Sequence, residues 1–170
     1  YDLSTGNIDT SVFPYSSWAK IMKETVYQEP QLLLKGDNQG DLELRKALAV
    51  MLREMRGVHC NPDQIIIGAG NEYLLDLLVQ ILGPKNVFGL ENPGYDRTYQ
   101  IIQNSGRKVV PITVDSEGMR VDELERFGAN VAYVTPSHQF PSGVTMPVGR
   151  RTQLVKWAKS RPGRYIIEDD

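Results

Sequence analysis

Short apolar runs alternate with helical patterns along most of this chain, and that alternation limits the folds it can adopt. The strand-like runs are QIIIG (64–68), NVFGL (86–90), KVVPITV (108–114), NVAYV (130–134) and RYIIE (164–168). The spacing of apolar residues between them predicts helices over residues 72–82, 96–104, 122–127 and 149–160. Strands that are apolar on both faces and separated by helices predict a mostly parallel sheet with helices on both faces.

The region before the first strand-like run is predicted to be helical. One short helix opens near Tyr15, and a second covers residues 42–55, with Asp41 placed to cap it and Gly57 placed to end it. We therefore expect an N-terminal arm and first helix over residues 1–40 and a ligand-binding domain over residues 41–170. Because the chain stops at YIIEDD, within a strand entering a loop, we expect it to be a truncated part of a larger domain.

Composition narrows the classes of function. The formal net charge of -2 gives no electrostatic argument for nucleic-acid binding by this segment. The single cysteine, Cys60, excludes an internal disulfide and is typical of a reducing, cytoplasmic setting. No apolar run approaches the roughly 20 residues that a membrane helix needs, so no membrane partner is expected.

The strand ends carry the candidate binding groups, because parallel sheets bind ligands outside the carboxyl ends of their strands. After the first run comes GAGNE (68–72), in which the free N–H groups of a helix start favour an anion such as a phosphate. The alternative is a tight turn capped by Asn71. A dinucleotide site is a further alternative, with Glu91 as the ribose acid, but Tyr73 stands where that fingerprint has its third glycine.

Two other strand ends add a ring and a set of acids. Tyr95 follows NPG at the second strand end and could stack on a flat ligand, or could pack on the protein's own surface. Glu168, Asp169 and Asp170 end the last strand, and buried acids need a cationic or protonated partner. That partner could be a metal or the protonated nitrogen of a pyridine ring. His59 and His138 lie in different loops without ligand spacing, so we predict no metal site.

Several motifs, in this order, resemble the pyridoxal-phosphate (PLP)-dependent aminotransferases of fold type I. They are FPYSSWAKIMKE, GDNQGDLELRKALAVMLREMRGVHCNPDQIII, ENPGY, TPSHQFPSG and IIEDD. Most closely, the chain resembles the aminotransferase-like domain of MocR/GabR-type regulators in the GntR superfamily. The resemblance implies the N-terminal part of the large domain of the aspartate aminotransferase-like fold, with further strands and the small domain outside this chain.

The resemblance also implies a role for each matching residue. Gly70, Asn71 and Glu72 would bind the cofactor phosphate through backbone amides, Tyr95 would stack on the pyridine ring, and Asp169 would pair with the ring nitrogen. The choice of Asp169 over Glu168 and Asp170 stays open. The loop carrying His138 and Gln139 would lie along the hydroxyl edge of the cofactor.

Two departures from the family pattern bear on activity. Phe140 stands where many aminotransferases have an asparagine that faces the ring hydroxyl, so that hydrogen bond would come from Gln139, His138 or elsewhere. The lysine that forms the Schiff base comes after the acid strand in the family, and no lysine of this chain matches it. The resemblance therefore implies no catalytic residue here, and this chain alone is expected to be inactive in transamination.

Three functions remain open from the sequence. The first is a PLP-binding effector or sensor domain of a GntR/MocR-type regulator, which responds to PLP or an amino compound and contacts DNA only through a winged helix outside this chain. The second is a genuine PLP-dependent amino acid aminotransferase, and the third is a dinucleotide-binding or structural α/β domain. Family members usually form homodimers, so a homodimer is expected of the full-length protein.

Overall fold

A computed structural model describes residues 9–170, in two compact units. One unit ends at Ile67 and the other runs from Gly68 to Asp170. The first eight residues of the expected N-terminal arm lie outside the described part, and the boundary expected between residues 40 and 41 stays a prediction. Within the described part, no helix has the length and apolar character required to cross a membrane.

The first unit is helical. Its helices are α1 (Tyr15–Gln28) and α2 (Leu42–Arg56), with 3-10 turns at Thr10–Val12, Pro30–Leu33 and Pro62–Gln64. The carboxylate of Asp41 accepts a hydrogen bond from the backbone N–H of Leu44 at 3.0 Å, which satisfies one free amide of the first turn of α2. Gly57 ends this helix with a φ of 64°, a left-handed conformation that favours glycine. Both predicted caps of α2 are confirmed.

The second unit contains a five-stranded sheet and four helices. The strands are β1 (Val87–Asn92), β2 (Lys108–Asp115), β3 (Gly118–Met119), β4 (Val131–Val134) and β5 (Tyr165–Glu168). The helices are α3 (Asn71–Leu82), α4 (Asp96–Asn104), α5 (Val121–Arg126) and α6 (Val148–Lys159). The strand order is β3-β2-β1-β4-β5, and all neighbouring pairs are parallel except β2 and β3. The predicted mostly parallel sheet is confirmed.

Each face of the sheet has its own hydrophobic core, because side chains alternate along a strand. Val131 and Tyr133 of β4 belong to a buried cluster that also contains residues of α3 and α4. Ala132 and Val134 belong to a second cluster, which contains residues of α5 and α6. Helices therefore cover both faces, as the doubly apolar strand-like runs predict.

The first strand-like run is the exception, and the prediction of a strand at residues 64–68 was wrong. These residues are not part of the sheet, and the backbone N–H of Ile67 instead donates to the carbonyl of Gln39 at 2.9 Å. A strand needs a neighbour to satisfy its ladder hydrogen bonds, and no strand in residues 9–170 pairs with this run.

A short strand was missed in the sequence. Gly118 and Met119, which belong to none of the five strand-like runs, form β3 and pair antiparallel with the end of β2. Two residues are too few to show the alternation of a strand in sequence.

Candidate functional site

The carboxyl ends of β4 and β5 and the first turns of α3 and α4 surround one cavity of about 430 Å³. Its lining residues are Asn71, Glu72, Leu75, Tyr95, Arg97, Thr98, Ile101, Thr135, His138, Asp169 and Asp170. Five of the seven predicted cofactor-binding residues are in this set. The two others, Gly70 and Gln139, are not.

Asp169, which follows the end of β5, is held in place by other side chains. Both of its carboxylate oxygens accept from the Asn71 side-chain amide, at 3.2 Å each, and one also accepts from the Tyr133 hydroxyl. Its backbone N–H donates to the carbonyl of Val134 at 3.0 Å, which continues the β4–β5 pairing past the strand end. Asp170 also lines the cavity, whereas Glu168 does not. Asn71, Tyr133 and the strand pairing therefore fix the orientation of Asp169 at the cavity.

Tyr133 supports Asp169 from the interior of the sheet. Its side chain is buried in the core that α3 and α4 cover. Burial, followed by the hydrogen bond to Asp169, raises the pKa of Tyr133 to about 12. The hydroxyl therefore stays protonated and can donate to the carboxylate across the physiological pH range.

The start of α3 forms the second wall of the cavity. Gly70 precedes this helix with a φ of 97°, a backbone conformation that side chains other than glycine rarely adopt. No side chain caps the first turn, so its amide groups are available to an anion at the place where Asn71 and Glu72 line the cavity. This geometry fits the predicted phosphate site better than the alternative of a turn capped by Asn71, whose side chain is engaged with Asp169 instead.

Tyr95 immediately precedes α4, and its ring has a stacking partner within the protein. The ring lies on that of Phe140, with centroids 4.6 Å apart and planes 10° apart. Tyr95 is 46% exposed and lines the cavity, so its ring forms part of the rim, with Phe140 stacked on it. Stacking on a ligand remains a prediction. Phe140 was singled out in the sequence only as a departure from the family's asparagine.

The two predicted residues of the loop after β4 differ in their surroundings. The His138 side chain is 89% exposed and its Nδ1 lies 3.6 Å from a carboxylate oxygen of Asp170. Gln139 is 2% exposed, and its amide nitrogen donates to the carbonyl of Pro93 at 2.9 Å and to that of Phe140 at 2.6 Å. Gln139 therefore holds loops together behind the cavity, while His138 is accessible at its edge.

Sequence reasoning missed some lining residues. Arg97 forms an ion pair with Glu72 at 3.0 Å across the gap between α4 and α3. Thr98 and Thr135 are buried polar residues of the cavity wall. The position of Arg97 and Thr98 in the first turn of the helix after Tyr95 was the available signal. In residues 9–170 no group of three histidine, cysteine or acidic side chains is placed to hold a metal ion.

A mostly parallel α/β sheet with a cavity at the carboxyl ends of its strands is an arrangement in which proteins commonly bind small ligands. Residues 1–169 match the model of the aminotransferase class I and II family. The chain belongs to the aminotransferase class I and II family.

The relatives that this chain is similar to include transcriptional regulators. The uncharacterized HTH-type transcriptional regulator YdeL of Bacillus subtilis is 44% identical over 99% of this chain, and the match covers 36% of YdeL. The probable rhizopine catabolism regulatory protein MocR of Rhizobium meliloti is 32% identical over 97% of this chain, which corresponds to 34% of MocR. The chain thus spans about a third of the length of these relatives. The predicted resemblance to MocR-type regulators is confirmed.

Solved structures agree with the fold. An archaeal alanine:glyoxylate aminotransferase superposes with a TM-score of 0.88 at 34% identity, over 98% of this chain and 43% of that one. The kynurenine aminotransferase of Pyrococcus horikoshii, solved in complex with PMP, superposes with a TM-score of 0.85 at 28% identity, over 99% of this chain and 44% of that one. The family and these structures do not favour the dinucleotide alternative.

Proposed function

We propose that this chain is the PLP-binding part of a MocR-type transcriptional regulator, in which it senses PLP or an amino compound. The similarity to YdeL and MocR, both named as regulatory proteins, supports the regulatory role. The aminotransferase family and the PMP complex of a structural relative support the cofactor. DNA contact would belong to a winged-helix domain outside this chain.

The observation that carries the proposal is the set of hydrogen bonds that hold Asp169 at the cavity. Its carboxylate accepts from the Asn71 amide and the Tyr133 hydroxyl, and it lines the cavity that the α3 start and Tyr95 also line. Two neutral donors orient the carboxylate without neutralising it, so it can still accept a hydrogen bond from a protonated nitrogen. A pyridine nitrogen carries such a proton next to an acid.

The residues of the cavity would divide the binding of PLP between them. The uncapped amides that follow Gly70, at Asn71 and Glu72, would bind the phosphate. Asp169 would hold the proton on the ring nitrogen, and Tyr95 would lie against the ring face. His138 would lie at the open edge, and Gln139 would act only through the loop that it holds. When bound, PLP supplies an electron-withdrawing ring and a reactive aldehyde.

A cofactor titration with the intact protein tests the proposal. We expect PLP to bind the wild type and Asp169→Ala to weaken that binding at least about 10-fold, because a charge-assisted hydrogen bond is lost. Asp115→Ala is the matched control, since Asp115 ends strand β2, which is not adjacent to β5, and pairs with Arg150 outside the cavity. Equal affinities of wild type and Asp169→Ala would exclude the assigned role of Asp169.

A second measurement separates regulator from enzyme. A gel-shift assay with the promoter region of the protein's own gene should show DNA binding that changes when PLP or an amino acid is added. Steady conversion of amino acids and 2-oxo acids by the intact protein, with no effect of PLP on DNA binding, would instead identify an aminotransferase.

A further inference from the structure

Glu91, at the carboxyl end of the central strand β1, joins two loops of the second unit. One of its carboxylate oxygens accepts from the Thr135 hydroxyl at 2.6 Å. The same oxygen lies 3.3 Å from the Gln139 amide nitrogen and shares its two hydrogens with the nearer carbonyls of Pro93 and Phe140. Thr135 and Gln139 both belong to the segment that follows β4, more than 40 residues further along the chain. The carboxylate therefore connects the end of β1 to that segment.

Gln139 extends this connection in both directions. Its amide nitrogen donates to the carbonyl of Pro93, in the loop after β1, at 2.9 Å. Its side-chain oxygen accepts from the backbone N–H of Ser142 at 3.1 Å, and its backbone N–H donates to the carbonyl of Val144 at 3.1 Å. A side chain that is 2% exposed and bonded to both loops leaves them little freedom to separate.

The same two loops carry the stacked ring pair at the rim of the cavity. Tyr95 follows the loop after β1, and Phe140 directly follows Gln139. Their rings lie 4.6 Å apart and are nearly parallel. Any shift of one loop against the other would therefore change the position of the Tyr95 ring, which lines the cavity.

Burial of the Glu91 carboxylate is unfavourable for the stability of the fold. Burial raises its pKa, and the hydrogen bonds from Thr135 and Gln139 only partly oppose that effect. Its other carboxylate oxygen is buried and has no hydrogen-bond partner within residues 9–170. An unsatisfied buried oxygen calls for an explanation beyond packing.

We propose that Glu91 is a positioning residue of the ligand cavity: through Thr135 and Gln139 it holds the two loops in register, so that Phe140 sets the angle of the Tyr95 ring. This inference adds a role for Glu91 to the proposed function, and it rests on that proposal only in the tests that use PLP as the ligand. Glu91 itself is not among the residues that line the cavity.

The first test needs no ligand. Amide hydrogen exchange is measured on the intact wild type, Glu91→Ala and Gln139→Ala. We expect both variants to exchange at least about 10-fold faster in residues 135–144 and 92–95, and to match the wild type in β3. Unchanged exchange in these loops would overturn the inference, whether or not the protein binds PLP. A failure to bind PLP would by itself refute only the proposed function.

The second test asks whether Glu91 acts through Gln139. PLP affinity is measured for Glu91→Ala, Gln139→Ala and the double variant. If the two residues form one unit, each single change weakens binding by about 10-fold and the double variant is no weaker than either. A loss of about 100-fold in the double variant would show independent effects and overturn the inference. If Glu91→Ala does not fold, Thr135→Val takes its place in the same measurements, because it keeps the side-chain shape and removes the hydroxyl that Glu91 binds.

Two control variants separate positioning from general destabilisation. The circular dichroism that the protein induces in bound PLP reports a fixed ring orientation, and Glu91→Ala should reduce it at saturating PLP. Gly89→Ala is expected to lower stability from within β1, away from the loops, and should leave this signal unchanged. Glu117→Gln changes a carboxylate that pairs with Arg150 outside the cavity, and it should also leave the signal unchanged. An identical signal in Glu91→Ala and Gly89→Ala would identify Glu91 as a merely structural residue.

Discussion

Raising the pH should reveal the stabilisation that the second unit gains from the protonated hydroxyl of Tyr133. Burial and the hydrogen bond to Asp169 raise the pKa of Tyr133 from 10.0 to about 12. The folded protein thus holds this proton more tightly than the unfolded chain does. The resulting stabilisation is complete below pH 10 and is lost as the pH rises towards 12.

The size of the effect follows from the two pKa values. Between them, the free energy of unfolding falls by up to about 1.4 kcal/mol per pH unit, because only the unfolded chain has released the proton. From about pH 8 to about pH 11 this amounts to a loss of about 1.4 kcal/mol from Tyr133 alone. Other groups also titrate in this range, so the quantity to compare is the difference between the wild type and Tyr133→Phe.

Urea unfolding of the intact protein at the two pH values measures this difference. We expect the wild type to lose about 1.4 kcal/mol more than Tyr133→Phe between them. Tyr27→Phe, which removes the hydroxyl of a tyrosine that is 77% exposed, is the matched control and should behave as the wild type. Equal losses in the wild type and Tyr133→Phe would refute the assignment of Tyr133 as a buried, proton-holding donor to Asp169.

Two further predictions concern stability. Gly89→Ala would place a methyl group 2.5 Å from Cδ2 of the buried Leu124 and 3.1 Å from Cγ1 of Ile112. We therefore expect the free energy of unfolding to fall by about 1 to 3 kcal/mol, which a lower thermal midpoint would show. An unchanged midpoint would show that this core can relax. Asp41→Ala removes the cap of α2 and should cost about 1 kcal/mol in urea unfolding, whereas Asp41→Asn keeps an oxygen for the Leu44 amide and should cost less. Equal costs for the two Asp41 variants would contradict the capping role.

The regular elements could be predicted from the sequence because each depends on local pattern. The helix over residues 42–55 was recognisable from its apolar spacing and from Asp41 and Gly57, and the structure ends it within one residue of the prediction. The run at residues 64–68 has the same local signal as a strand, but a strand exists only beside a partner, and the partner is not a local property. This is why one apolar run of five was assigned wrongly.

The candidate site was predictable in location more than in detail. The rule that ligands bind at the carboxyl ends of parallel strands brought Asn71, Tyr95 and Asp169 into one hypothesis, and the structure places all three around one cavity. The role of Gln139 was not predictable in this way. Its contacts with Pro93 and Glu91 join segments 46 and 48 residues apart, and no sequence spacing reports such contacts.

The amino-acid sequence by itself determined the alternation of strands and helices, the doubly covered sheet and the family, since these depend on residue periodicity and on motifs read along the chain. Tertiary structure alone decided which side chains meet Asp169. Its donors, Asn71 and Tyr133, are 98 and 36 residues away and reach it only because α3, β4 and β5 converge at one end of the sheet. Consecutive carboxylates are chemically alike, and the geometry of their neighbours makes them different.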